Sequence, residues 1–354
     1  MKRVCRLVIV LVSTLILPPA GGPWPTWAAA ATAQESSARL REQPVSTALE
    51  PGRHHVVQTW SQETDYPRPY FVHVPKVEAT AAAQDNAPAN AAKPPTSRET
   101  DDSPRWPVLI FLHGNGGSGL KSMKGMTWRL KATAQQYIMV FPDGYQKSWN
   151  IVSERSQADD LAFVEAIVTR LQSCSNVRGD DITIMGSSNG AALVNQLAIE
   201  SRLPQIRTLI SCVSPLNAWQ YQDGQFRQRG PQNNYEQAVR PVTGRRLLNV
   251  SGTEDRLVPY AGGPSAAIRA KDGRLAFLPA EQSTYLWARH FGETGPQRTA
   301  PSFTEGPLQF YSYLDGDVVH IKVNEEGHGA TRVVDDRLLL RFLRGHLGSS
   351  EDGR

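Results

Sequence analysis

The sequence predicts an α/β protein, with a mostly parallel, doubly wound central sheet flanked by helices, and three observations carry that prediction. Val108-Leu109-Ile110-Phe111-Leu112 and Tyr137-Ile138-Met139-Val140-Phe141 are continuous apolar runs, the composition of strands covered on both faces. Helical periodicity alternates with such runs, as in Leu161, Val164, Ile167, Val168 and Leu171. Ile182-Thr183-Ile184-Met185 passes through Gly186-Ser187-Ser188-Asn189-Gly190 into Ala191-Ala192-Leu193-Val194-Asn195, which reads as strand, sharp turn and helix. With 354 residues, 40% of them hydrophobic and 20% charged, the chain can bury one large core.

The first residues stand apart from that globule. Lys2, Arg3 and Arg6 precede an apolar run from Leu7 to Leu17, Pro18-Pro19 follow, and Ala31-Thr32-Ala33 closes the segment with small residues. This reads as a signal peptide over 1–33, and the apolar run is well short of the ~20 residues that span a bilayer. The expectation is therefore an exported protein, secreted or periplasmic, without a stable membrane anchor. Losing three positive charges takes the formal charge from +4 to +1. No basic cluster with interleaved aromatics occurs, which argues against a nucleic-acid partner. Of 3 cysteines, Cys5 falls in the leader. Cys174 and Cys212 are either a disulfide pair or two packed thiols, and no cysteine has the spacing of a metal site.

Residues 34–52 are a polar, flexible lead-in, and a single domain is expected over 53–347. His55–Trp60 and Arg68–Pro75 alternate like two half-buried strands. Residues 78–104, rich in Ala, Pro, Asn and Asp, lack large apolar side chains and read as a disordered insertion. The strand from Trp106 to Leu112 then ends in His113-Gly114-Asn115-Gly116-Gly117-Ser118, a glycine-rich turn with exposed N–H groups. A helix over about 122–136, the strand ending at Asp143-Gly144, and a helix over 158–173 come next. Asp159 and Asp160 lie in the first turn of that helix, where the helix dipole favours negative charge.

After the Ser188 turn, a strand over 207–213 precedes a glutamine-rich excursion over 220–237, expected as a loop over the site. Arg246–Val250 forms a strand that ends near Asp255. A helix over 278–292, a hairpin of Phe310–Leu314 with Val318–Val323, and a last helix over 331–345 complete the chain. Of the 8 histidines, only His328 lies on a glycine-flanked loop between the last strand and the last helix.

The Gly-x-Ser-x-Gly pattern around Ser188 is that of a nucleophile elbow. Gly186 and Gly190 would let strand and helix approach where a Cβ would clash. Serine is a weak nucleophile unless a base takes its proton. His328 is the candidate base, and Asp255 the candidate acid that orients it, with Glu254 in reserve; the order Ser188, Asp255, His328 fits serine hydrolases of open α/β sheets. The N–H groups of Asn115 and Asn189 are the candidate oxyanion donors.

These segments, together with Phe141-Pro142-Asp143-Gly144, Ser148-Trp149-Asn150, Asp159-Asp160-Leu161-Ala162-Phe163, Gly252-Thr253-Glu254-Asp255-Arg256-Leu257-Val258-Pro259-Tyr260 and Gly327-His328, resemble the esterase family that contains secreted polyhydroxybutyrate depolymerases and feruloyl or acetylxylan esterases. The resemblance runs from about Tyr70 to His328. It implies an α/β-hydrolase fold and a Ser188, Asp255, His328 triad working through an acyl-enzyme. The expected substrates are polyesters or feruloyl and acetyl esters of polysaccharides, with neither metal nor organic cofactor. The family often has cysteine where Asn115 stands, and an aromatic with proline after the histidine, where this chain has Gly329-Ala330-Thr331. Both departures adjoin the substrate and leave acyl and alcohol specificity open. A serine peptidase or acyltransferase on the same fold, and a non-catalytic hydrolase-like binding protein, are the alternative readings.

Overall fold

In the computed structural model, residues 47–60, 63–76, 105–152, 158–271 and 273–348 are described. The leader and the 78–104 insertion predicted from sequence lie outside them. In chain order the elements are β1 (Gly52–Trp60), β2 (Glu63–Val74), β3 (Trp106–Leu112), α1 (Gly119–Arg129), α2 (Lys131–Ala134), β4 (Ile138–Pro142), α3 (Asp160–Gln172), β5 (Val177–Ser187), α4 (Asn189–Glu200) and β6 (Ile206–Cys212). The two-residue strands β7 (Tyr221–Gln222) and β8 (Gln225–Phe226) follow, then β9 (Arg246–Gly252), β10 (Gly263–Ala270), β11 (Gly273–Phe277), α5 (Ala280–Phe291), β12 (Phe303–Glu305), β13 (Leu308–Tyr313), β14 (Val318–Val323) and α6 (Asp336–Leu343).

Ten strands form one sheet in the order β1-β2-β4-β3-β5-β6-β9-β14-β13-β12. The strands from β4 to β14 in that order are parallel, and antiparallel strands flank them at both edges. Side chains alternate across each strand. Val108, Ile110 and Leu112 face one core with Val140, Phe163, Ile167, Leu193, Leu197 and Trp287. Leu109 and Phe111 face the other with Met126, Met185, Leu248, Leu339 and Phe342. Each large apolar side chain so buried contributes about 1.5–3 kcal/mol.

The predicted helices over 122–136 and 331–345 are each broken, the first at a tertiary contact and the second at a local cap. Asp336 accepts hydrogen bonds from the N–H groups of Ala132 and Thr133, both at 2.8 Å, so it caps α2 after a kink at Leu130. Asp335 is extended and accepts from Leu338 N–H at 2.9 Å, starting α6 after a short 3-10 turn at Ala330–Val333. The 220–237 excursion is more than a covering loop. Phe226 and Tyr235 enter the core, and Gln220 Nε2 donates to Ala192 O at 2.8 Å on α4. The β10–β11 hairpin and β12 were not anticipated, because they carry few large apolar residues. Cys174 and Cys212 are both free thiols, Cys212 fully buried.

Candidate active site

β5 delivers Ser188 at its C-terminal end, the edge where open α/β sheets gather their ligands. Ser188 has φ 54° and ψ −118°, a sparsely populated backbone conformation for a non-glycine residue. Its N–H donates to Cys212 O at 2.9 Å, which ties the elbow to β6. A Cβ on Gly186 would run into the backbone of Gly190, and one on Gly190 into the carbonyls of Leu112 and His113. The glycines are thus required by close backbone approach, and α4 packs directly against the end of β3.

β9 and β14 lie side by side and supply the other two residues from the loops at their ends. The loops are stitched together: Thr253 N–H donates to Val323 O at 3.0 Å, Glu254 N–H to Glu326 O at 2.9 Å, and Glu325 N–H to Thr253 Oγ1 at 2.9 Å. Gly252 permits this, since a Cβ there would collide with the carbonyls of Glu326 and Gly327. His328 Nε2 lies 2.9 Å from Ser188 Oγ, and His328 Nδ1 lies 2.7 Å from Asp255 Oδ2. Asp255 Oδ1 also accepts from Leu257 N–H at 2.8 Å and Val258 N–H at 2.9 Å, so the carboxylate is held on both oxygens. Its side chain is 2% exposed, whereas that of His328 is 30% exposed. The exposed Glu254 has its N–H in the loop stitching, and it is Asp255 that meets the imidazole.

The glycine turn after β3 lies over the elbow, since a Cβ built on Gly114 would come 3.5 Å from Ser188 Cβ. Gly116 N–H donates to Lys147 O and Gly117 N–H to Gly114 O. The N–H groups of Asn115 and Asn189 take part in none of the turn, loop and cap bonds among the described residues. Asn189 N–H is also at the start of α4, where helix N–H groups lack intrahelical acceptors and the dipole is positive.

Several residues that hold these parts were missed as functional, although most lie in motifs quoted from the sequence. Asn189 Oδ1 accepts from Trp149 N–H at 2.7 Å, and its Nδ2 donates to Trp149 O at 3.0 Å. Trp149 Nε1 in turn donates to His113 O at 2.7 Å. His113 accepts from Gly144 N–H at Nε2 (3.0 Å) and donates from Nδ1 to Gly114 O (2.7 Å), a pairing that calls for the neutral ring, and burial lowers its pKa. Asp143 accepts from Gly119 N–H and caps α1.

Asp160, read from sequence as a helix-dipole carboxylate, is only 1% exposed and pairs with Arg68 at 2.5 Å while accepting from Asn150 N–H at 2.5 Å. Burial pushes its pKa up, with the Arg68 charge acting against it. Arg68 stacks over Phe163, 3.9 Å from the ring centre. At the far end of the acid loop, the Tyr260 hydroxyl lies 2.8 Å from Glu281 Oε1 and 2.9 Å from Nε2 of His320, whose pKa burial lowers to about 3.

No group of three or more metal-ligating side chains occurs among the described residues. A cavity of about 540 Å³ between Tyr221–Phe226, Val239–Pro241 and the end of α5 contains none of the three residues.

No family model matches the chain. An acetyl xylan esterase from Aspergillus awamori superposes with a TM-score of 0.51 over 83% of this chain and 99% of its own, at 14% identity. The fold is that of the α/β-hydrolases. Feruloyl esterase B of Piromyces equi is 26% identical over 203 residues, covering 55% of this chain and 34% of that protein. The chain thus spans about a third of the length of this curated relative, and the likeness to feruloyl esterases read from its motifs recurs there.

Proposed function

We propose that this α/β-hydrolase is an exported serine carboxylic-ester hydrolase that works through an acyl-enzyme. The observation that carries the reading is the hydrogen-bonded line from Asp255 through His328 to Ser188, at 2.7 and 2.9 Å. His328 Nε2 accepts the Ser188 proton as Oγ attacks the ester carbonyl, and the same proton goes to the leaving alcohol. Asp255 fixes the proton on Nδ1 and stabilises the imidazolium. The N–H groups of Asn189 and Asn115 stabilise the negative oxygen of the tetrahedral intermediate, each worth about 3–4 kcal/mol of barrier. Water then repeats the sequence in reverse on the acyl-enzyme, releasing the acid and restoring the serine.

The likeness to feruloyl esterase B supports a feruloyl ester over a polyester as the bond cleaved. Export rests on the leader read in residues 1–33, and no described helix is long and apolar enough to cross a membrane.

The test is hydrolysis of p-nitrophenyl acetate and butyrate, methyl ferulate and a 3-hydroxybutyrate oligomer by the protein and by Ser188→Ala. The variant should lose about 10⁴-fold or more in kcat, and the best substrate assigns the acyl group. Activity that survives in Ser188→Ala overturns the assignment. Amide cleavage or transfer to an alcohol acceptor in preference to hydrolysis would favour a peptidase or acyltransferase.

A further inference from the structure

The reading above concerns the reacting ester; resting on it, we further propose that the outer face of α1 is a docking surface for a polysaccharide whose sugars carry carboxylates. Trp128 is 82% exposed, more than any other large hydrophobic residue among those described, and Leu120, on the same helix, is 40% exposed. Leu120, Lys124 and Trp128 are four residues apart and share one stripe of the helix. Lys121 and Gly125 are exposed beside them, and Gly125 adds no side chain that could cover the indole. Among the described residues nothing covers this tryptophan, and interfaces use such residues as anchors.

The charge on this face has one sign. Residues 119–135 contain Lys121, Lys124, Arg129 and Lys131 and no Asp or Glu. The acids that reach the helix ends are already engaged, Asp143 with Gly119 N–H and Asp336 with Ala132 and Thr133. Arg129 turns inward and donates to Val334 O at 2.7 Å. Lys147 is exposed across the glycine turn, and its carbonyl accepts from Gly116 N–H at 2.8 Å.

Position makes the face relevant to the site. α1 starts directly after the turn that bears Asn115, and its C-terminal Arg129 is bonded to the segment that follows His328. The stripe runs about 12 Å from Leu120 to Trp128 at 1.5 Å per residue, away from the elbow. A polymer with its ester at Ser188 could lay neighbouring units along it, one sugar face on the indole and carboxylates near Lys121, Lys124 and Lys147. A single-stranded nucleic acid would call for a series of stacking aromatics, and a lipid surface for an unbroken apolar face. Here one aromatic stands among lysines.

The experiment separates docking from chemistry by using Ser188→Ala as the binding protein. In native gels containing 4-O-methylglucuronoxylan or polygalacturonate its migration should be retarded, with no retardation in neutral arabinoxylan. Retardation should fade by about 0.5 M salt, where charges are screened within a few ångströms. Adding Trp128→Ala or Lys121→Gln/Lys124→Gln should weaken binding at least about fivefold, as for an aromatic anchor. In the parent protein, Trp128→Ala should leave p-nitrophenyl acetate hydrolysis unchanged, which verifies the fold. Equal binding by the Trp128→Ala variant, equal retention by the neutral polymer, or binding confined to anionic phosphatidylserine vesicles would overturn the proposal. Failure of the parent protein on small esters would instead strike the ester-hydrolase reading.

Discussion

Replacing Asp255 by asparagine tests the triad with the least disturbance of shape. Asp255 Oδ1 holds the N–H groups of Leu257 and Val258, and Oδ2 holds His328 Nδ1. In the variant the amide oxygen keeps the two backbone donors, because the NH₂ group cannot accept from them. The NH₂ therefore faces Nδ1 and forces the imidazole proton onto Nε2, which then points at Ser188 Oγ and cannot take its proton. The same exchange costs a serine-protease triad about 10⁴ in kcat, equivalent to about 5.4 kcal/mol of barrier. Asp255→Asn should thus show kcat on p-nitrophenyl acetate down by about that factor, with KM and the thermal midpoint little changed. Glu254→Gln, at an exposed side chain, should stay within about twofold of the parent. A kcat for Asp255→Asn within tenfold of the parent, in a folded protein, would refute the reasoning.

Other consequences follow from packing and burial. His320 is neutral in the folded state, with a pKa near 3 against an ordinary value of about 6.5, so the unfolded chain binds the extra proton as pH falls below 6.5. Stability should drop by about 2 kcal/mol between pH 6.5 and 5 from this residue, and urea midpoints of His320→Gln should be less steep in pH by about one proton. Burial lowers His73, His113 and His290 as well, so a slope of the same sign should remain in the variant. Gly190→Ala should cost at least about 2 kcal/mol in thermal unfolding, because the added methyl meets backbone carbonyls, while Gly125→Ala, which meets nothing, should stabilise α1 by about 0.5–1 kcal/mol. Arg68→Met leaves the Asp160 charge buried and unpaired, and should cost about 3–5 kcal/mol in urea unfolding, partly recovered by Asp160→Asn in the same chain.

Much of the architecture was legible because burial on both faces imposes continuous apolar runs, and β3, β4, β5 and β6 lie where those runs predicted. The elbow was legible for a local reason: strand, glycine, serine, glycine and helix are adjacent in sequence. The break at Leu130 was not, since it depends on Asp336, a carboxylate that folds onto α2 from the far end of the chain; the break at Val334 is set by Asp335 capping Leu338 three residues on, a local signal that was passed over. Likewise Phe226 and Tyr235 sit in a stretch too polar to mark as core, and they are buried because Trp287 of α5 meets Phe226 and the Asn150–Ile151 segment meets Tyr235.

The sequence by itself named Ser188, Asp255 and His328 as candidates, because each occupies a loop after a strand and chain order restricts which residue can take which role. It also carried the glycines, whose need arises from contacts within a few residues of the elbow or across neighbouring strand ends. What only the tertiary structure decided is how those loops are held. Asn189 clamping Trp149, Trp149 reaching His113, and Asp160 joining Arg68 to Asn150 link positions tens of residues apart, and a hydrogen bond depends on distance and angle in space. Sequence spacing carries no such geometry until the parallel sheet brings the strand ends to one edge.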